Sequence, residues 1–423
     1  MANPKVLVIG INPWIDNTGI NTLINFFKDW GVDSIAHMYT RDQLPNSVIC
    51  QKFFRISENR LIKSVWNRSI KTGEMVENAE TARSQSSNAL YQKKHSEWMT
   101  LAREIVWKLG KWRTKELDTF LDEFNPDVIF CPVYSTVYMC RLQNYAANRT
   151  KKPIVLYVSD DNYSYQSIAK TPVAYLSRFW LRHQEKRLFE RAKKVLVIAP
   201  KQKEEYDRLF HTDCAILTKG IDFSQYSYKE KELNDPIRMV YTGKLIIGRW
   251  KSLAAIAEAM GKINSGRTKV ILDIYTTDEL TDEQKTALNR NGCQVRGALA
   301  LKEVQAVQED ADILVFAECL EDPYRYTARL SFSTKVTDYL RAGKCIFAIG
   351  DKDIAPIDYF TRYDSAVTAT SYEEVYAKLQ MLVDRPELIT EYGKKGYECG
   401  RAHHDEHKMS QLLTQTIMDA ARK

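Results

Sequence analysis

The chain has 423 residues, more than one hydrophobic core usually serves, so two domains of about 200 residues each are expected. Its composition, 44% hydrophobic and 27% charged, fits a globular enzyme, and no window approaches the roughly 18 consecutive apolar residues that a membrane span requires. Charge is uneven: residues 1–200 hold 29 Lys and Arg against 19 Asp and Glu, a balance of +10, and the remainder hold 32 against 35, a balance of −3. The basic half suits an anionic partner (a membrane surface, a lipid phosphate or nucleic acid) or is simply a solvated basic face.

The opening, MANPKVLVIG, runs straight into an apolar strand and does not read as a signal peptide. The eight cysteines are scattered, with no C-x-x-C pair, and several lie in apolar runs such as VIFCPV and GKCIFAIG. They read as reduced core residues and point to the cytoplasm.

In chain order, short apolar runs alternate with longer helical patterns, the signature of βαβ units and an α/β fold with largely parallel sheets. The first series predicts strands at Lys5–Ile9, Ser34–Met38, Asp127–Cys131, Ile154–Val158 and Val195–Ile198, with Cys214–Leu217 as a further candidate. Residues 53–120, rich in Arg, Lys and Trp, read as a helical insertion. The polar stretch Ser224–Pro236 reads as a linker between a first domain, 1–222, and a second, 236–395. Strands of the second series are Ile237–Tyr241, Lys269–Tyr275, Gln294–Arg296, Ile313–Phe316, Cys345–Ile349 and Ala366–Thr368. Helices are expected at Leu253–Ile263, Asp282–Asn289, Leu301–Gln308 and Thr334–Arg341, the last closed by Gly343, and residues 396–423 form a helical tail.

Four stretches resemble the GT-B glycosyltransferases, in particular the retaining family four group. They are TKGIDFSQY (Thr218–Tyr226), MVYTGKLIIGRWKSLAAI (Met239–Ile256), VRGALALKEVQAVQEDADILVFAE (Val295–Glu318) and RLSFSTKVTDYLRAGKCIFAIG (Arg329–Gly350). The resemblance implies two Rossmann-like domains facing each other across a cleft and transfer of a sugar from a nucleotide-diphosphate donor. UDP is favoured over GDP, with retention of configuration and a saccharide or lipid-linked acceptor.

Chemistry supports the placement. After Gly243 the backbone can approach an anion, and a helix start offers free N–H groups. Arg249, Lys251 and Lys244 are candidates to hold the diphosphate, with spacing leaving open which two act. The turn Gly297, Ala298, Leu299 would meet the base. Asp338 would accept from the ribose hydroxyls, and Lys335, one turn earlier, would point at phosphate or sugar. One departure stands out: the family's second acid falls on Leu330, so Glu318, Glu321 or Asp322 replaces it or the role is absent.

On the first-domain side, the loop after KVLVIG lacks a G-x-G-x-x-G fingerprint, which disfavours NAD, and Asn12, Asn17, Thr18 and Gly19 are acceptor-side candidates. Asp160 and Asp161, just after a strand, either serve the acceptor hydroxyl, with Asp160 favoured, or cap a helix. The helix around Arg178–Lys194 mixes basic residues with Phe179, Trp180 and Leu181, a composition that docks on anionic membrane or packs into the core. No metal is expected: neither HHDEH nor the triplets Asp310–Asp312 and Asp351–Asp353 carry enough context, and Lys and Arg would neutralise the phosphates. The competing readings are a sugar-nucleotide epimerase of the same architecture and a catalytically silent binding subunit; nucleic acid does not explain the second-half motifs.

Overall fold

A computed structural model of the chain describes residues 3–16, 22–79 and 97–422. It comprises two compact α/β units. The first is formed by Met1–Ile198, Lys203–Leu217 and Met409–Lys423, the second by Ala199–Gln202 and Thr218–Lys408. The last helix, Glu406–Ala421, runs across the division, and its Leu413, Ile417 and Ala420 are buried in the first unit's core.

The first unit is built on an eight-stranded sheet of order β4-β3-β2-β1-β5-β6-β7-β8. The strands are β1 Val6–Ile9, β2 Ile35–Tyr39, β3 Lys52–Ile56, β4 Gly73–Val76, β5 Val128–Pro132, β6 Ile154–Val158, β7 Ala192–Val197 and β8 Ala215–Ile216. All neighbours pair in parallel except β3 and β4. The second unit holds a parallel sheet of order β11-β10-β9-β12-β13-β14. Its strands are β9 Ile237–Thr242, β10 Val270–Tyr275, β11 Cys293–Gly297, β12 Ile313–Ala317, β13 Cys345–Ile349 and β14 Val367–Ala369. Central strands such as VLVI, IVLYV, ILVFA and CIFAI are buried at every residue, because helices cover both faces of a parallel sheet. In each sheet the strand order reverses beside the first strand of the unit, β1 or β9, and ligands of such sheets bind beyond the carboxyl ends at that point.

The structure corrects the helical insertion. Residues 53–120 do contain the helices Glu58–Ser64, Glu97–Leu109 and Lys115–Phe124, but β3 and β4 extend the sheet itself. Phe53 and Phe54 are both buried, on opposite faces: Phe53 lies edge-on to His37, and Phe54 stacks on Phe120 at 5.0 Å. Apolar residues on both faces erase the alternation by which a strand is read. The edge strand β4 is tied through Glu74, which accepts from Arg55 and from Arg60.

The polar linker is stitched to the second unit. Asn234 donates to the Asp312 carboxylate from its backbone and side-chain nitrogens, at 3.2 and 3.0 Å, and Lys231 pairs with Asp310. Both acids of that triplet therefore serve as anchors. Asp351 accepts from Arg325 and caps the backbone of Asp353. The GID stretch marks a crossing of two chain segments: a Cβ on Gly220 would lie 2.6 Å from the backbone of Glu406, and Ile221 bonds across to His404 and Glu406. Below it, buried His404 bridges Thr218 Oγ1 (2.7 Å) and the Tyr359 hydroxyl (2.9 Å). Among the described residues no cluster of three metal-ligand side chains occurs, and no helix is long and apolar enough to cross a membrane.

Candidate active site

In the second unit β9 ends at Thr242 and the chain turns at Gly243, whose φ of +146° L side chains rarely adopt. A Cβ there would stand 2.5 Å from Lys335 Nζ, so the absent side chain is what admits the ammonium to the backbone. The turn is fixed by the Leu245 amide donating to Asp278 (2.6 Å) and the Tyr241 hydroxyl donating to the Lys244 carbonyl (2.7 Å). Lys244 itself is exposed. The chain then reaches Gly248, φ +74°, which caps the helix Arg249–Ile263 without a side-chain acceptor. Arg249 and Lys251 lie in the first turn of that helix, where its dipole favours an anion.

Each base meets a carboxylate. Arg249 forms a forked pair with Glu318, Nε to Oε2 at 2.9 Å and Nη2 to Oε1 at 2.8 Å, with side chains only 16 and 8% exposed. Glu318 follows β12 directly, and its backbone is held by Ile349 and Ser252. Lys251 reaches Glu321 in a half-exposed pair. Lys335 lies over the Tyr241 ring, 4.7 Å from its centre. Burial, reinforced by the Arg249 charge and opposed by Glu318, lowers its ammonium pKa to about 8.

Lys335 and Asp338 share the helix Thr334–Ala342, opened by Ser333 and closed by Gly343 in the left-handed region. Their partners differ: Asp338 accepts from Lys219 Nζ at 2.7 Å. Gly297 ends β11 with φ +87° and open space where a Cβ would point, and Ala298 and Leu299 continue that turn. The structure thus brings Gly243, Lys335, Arg249 and Glu318 together, with Lys251 and Glu321 paired beside the same helix start and Asp338 a turn further along the Lys335 helix. Leu330 is fully buried, so no acid replaces it in place. Sequence reasoning missed Lys219 as partner of Asp338 and Glu318 as partner of Arg249. Lys219 stood inside the TKGID stretch and was a readable signal; the Glu318 pairing was not.

In the first unit, Asn12 is exposed just beyond β1, while Asn17, Thr18 and Gly19 lie outside the described residues. A Cβ on Gly10 would press on His37 Nε2 at 2.9 Å. His37 is buried, stacks on Trp14 at 4.8 Å and is held neutral by that burial, with a pKa lowered to about 3. Asp160 is solvent-facing and accepts from Ser159 Oγ at 3.2 Å. Asp161 is buried; it accepts from the Ser164 amide at 2.9 Å, while its own carbonyl receives Arg178 Nη1 at 3.0 Å. It staples a turn, which leaves Asp160 as the carboxylate offered to solvent.

No family model and no curated sequence matches the chain. Solved structures do. The chain is similar to HepE of Anabaena in complex with UDP-glucose, at 11% identity and a TM-score of 0.59, covering 98% of this chain and 99% of that one. It is similar to sucrose-phosphate synthase of Thermosynechococcus elongatus, at 12% identity and a TM-score of 0.61, with 97% of each chain covered. A UDP-forming α,α-trehalose-phosphate synthase of Burkholderia vietnamiensis matches at 8% identity and a TM-score of 0.58, over 98% of this chain and 99% of that one. Likeness at such identities is likeness of fold, and the chain has the two-unit α/β fold of the GT-B glycosyltransferases.

Proposed function

We propose that the protein is a nucleotide-sugar-dependent glycosyltransferase, with UDP favoured over GDP as the donor nucleotide and a saccharide or lipid-linked acceptor. The observation that carries this reading is the meeting of Lys335 and Arg249 beside a glycine turn beyond β9, with Lys251 at the same uncapped helix start. Three cations and a row of backbone amides suit a diphosphate, and the bound UDP and UDP-glucose of HepE support the choice of nucleotide.

In the proposed reaction the anomeric C–O bond breaks and negative charge grows on the departing diphosphate. Arg249, Lys251 and Lys335 neutralise that charge, a contribution realised most fully in the transition state. Phosphate oxygens displace Glu321 from Lys251 at little cost, because an exposed pair is worth under about 1 kcal/mol. Asp338 takes the ribose hydroxyls, and the acceptor oxygen bonds to the anomeric carbon with retention while Asp160, the candidate base, takes the acceptor's proton. Polysaccharide or glycoconjugate assembly is the proposed setting.

Thermal-shift measurements with UDP, GDP and their sugars test the reading: a ligand at 100 times its Kd adds about 2.7 kcal/mol of stability. Stabilisation by UDP or GDP with slow donor hydrolysis is the expected result. Stabilisation by neither would overturn it, and conversion of the donor into an epimeric nucleotide sugar without acceptor would identify an epimerase.

A pH dependence follows from Lys335. Its pKa of about 8 lies below the ordinary lysine value, so the ammonium is present below pH 8 and lost as pH rises through it. A diphosphate favours the charged form, so UDP binding takes up a proton above pH 8. The Kd should rise by up to about tenfold per pH unit there, and Lys335→Met should flatten the profile. Calorimetric titration between pH 7 and 9.5 checks both.

A further inference from the structure

We infer that the first unit carries a docking surface for an anionic lipid bilayer, formed by two neighbouring helices, independently of the donor chemistry proposed above. The helix Pro172–Phe189 is inverted relative to an ordinary surface helix. Its inward face holds Arg178 and Glu185, both buried, alongside Leu181, Leu188 and Phe189. Its outward stripe, at positions 175, 176, 179 and 180, is Tyr175, Leu176, Phe179 and Trp180, all exposed, with Phe179 at 60%. A surface helix normally turns polar residues outward, so this pattern asks for an apolar medium.

The neighbouring helix Glu97–Leu109 repeats it. Trp98, Ile105 and Leu109 fall at i, i+7 and i+11 and are exposed, Trp98 at 68%. The two helices are joined at their starts, where Thr171 Oγ1 donates to Glu97. Each of these neighbouring helices thus carries an outward apolar stripe with an exposed tryptophan.

Charge selects the occupant. The stripe of Pro172–Phe189 continues, two turns on, as His183, Lys186 and Arg187, all exposed, and Lys170 precedes the helix start. Lys186 pairs loosely with Glu190 at 4.0 Å, itself exposed. Aromatic and aliphatic side chains bordered by cations match a membrane interface of acyl chains beneath anionic headgroups. The excess positive charge of residues 1–200 adds to the same attraction. Sequence alone put Leu181 among the candidate docking residues; the structure buries it and supplies Tyr175, Leu176 and the second helix instead.

Flotation of the full chain with vesicles of phosphatidylcholine, with and without 30 mol% (about one lipid in three) phosphatidylglycerol, tests the inference. Binding to the anionic vesicles only, released at high salt as the Debye length shrinks to about 3 Å, is expected. Each basic residue near such a surface contributes about a fivefold factor, so Lys186→Ala with Arg187→Ala should weaken partitioning by about 30-fold. Phe179→Ser with Trp180→Ser should weaken it by about tenfold or more, while UDP affinity and thermal midpoint stay unchanged. No flotation at low salt overturns the inference. So does a dimer, measured by light scattering, that the Phe179→Ser, Trp180→Ser variant dissolves, since the patch would then meet a second copy. Loss of UDP binding without loss of flotation would strike the transferase reading alone.

Discussion

Replacing Arg249 with alanine is expected to cut turnover about 100- to 1,000-fold and to destabilise the second unit by about 3–5 kcal/mol. The turnover loss follows if the guanidinium meets a diphosphate whose charge grows as the glycosidic bond breaks. The stability loss has a separate cause. Glu318 is 8% exposed and spends its carboxylate on Arg249; without that partner it is a buried charge offset only by the neighbouring Lys335 ammonium. For a unit of about 200 residues this corresponds to a fall of about 6–20 °C in its thermal midpoint. The double variant Arg249→Met, Glu318→Leu separates the two effects. It should recover most of the stability, because an apolar pair in place of a buried ion pair is often neutral, yet it should remain inactive. Donor hydrolysis and thermal unfolding measured on both variants decide the matter. Wild-type turnover in either would remove Arg249 from the phosphate site.

The second large effect is expected at Asp338. Asp338→Ala should weaken UDP binding about 10- to 150-fold, the worth of hydrogen bonds to a charged acceptor. Its pair with Lys219 is 29 and 32% exposed, so the stability change should stay below about 1 kcal/mol. Titration calorimetry with UDP and with its 2′-deoxy analogue discriminates the two duties of the carboxylate. The wild type should prefer UDP and the variant should bind both alike. If Asp338→Ala binds UDP normally, the carboxylate serves Lys219 and nothing else.

The second unit was the more legible half of the fold. Each of its strands is a compact run ending in a turn, as Cys345–Ile349 does, and Gly343 closed its helix where a left-handed cap was expected. In the first unit β3 and β4 escaped notice because Phe53 and Phe54 are buried on opposite faces and the four residues of β4 carry too little pattern. Local spacing likewise located the glycine turn and the helix that carry the candidate site. It did not reveal the pairings Arg249–Glu318 and Lys219–Asp338, whose members stand 69 and 119 residues apart and meet only through the sheet topology. Nor could a helical wheel show that Pro172–Phe189 turns Arg178 and Glu185 inward, since charge ordinarily faces water.

The shared last helix imposes an order on biosynthesis. Leu413, Ile417 and Ala420 fill the core that Val6, Phe27 and Phe130 begin, so the first unit's interior is closed by residues translated nearly two hundred positions after its other strands. On the ribosome the earliest unit to emerge is therefore the last to be finished, and its vacant seat exposes apolar surface while the second unit is made. A stop codon after residue 408 would spare every strand of both sheets and still leave the amino-terminal unit incomplete.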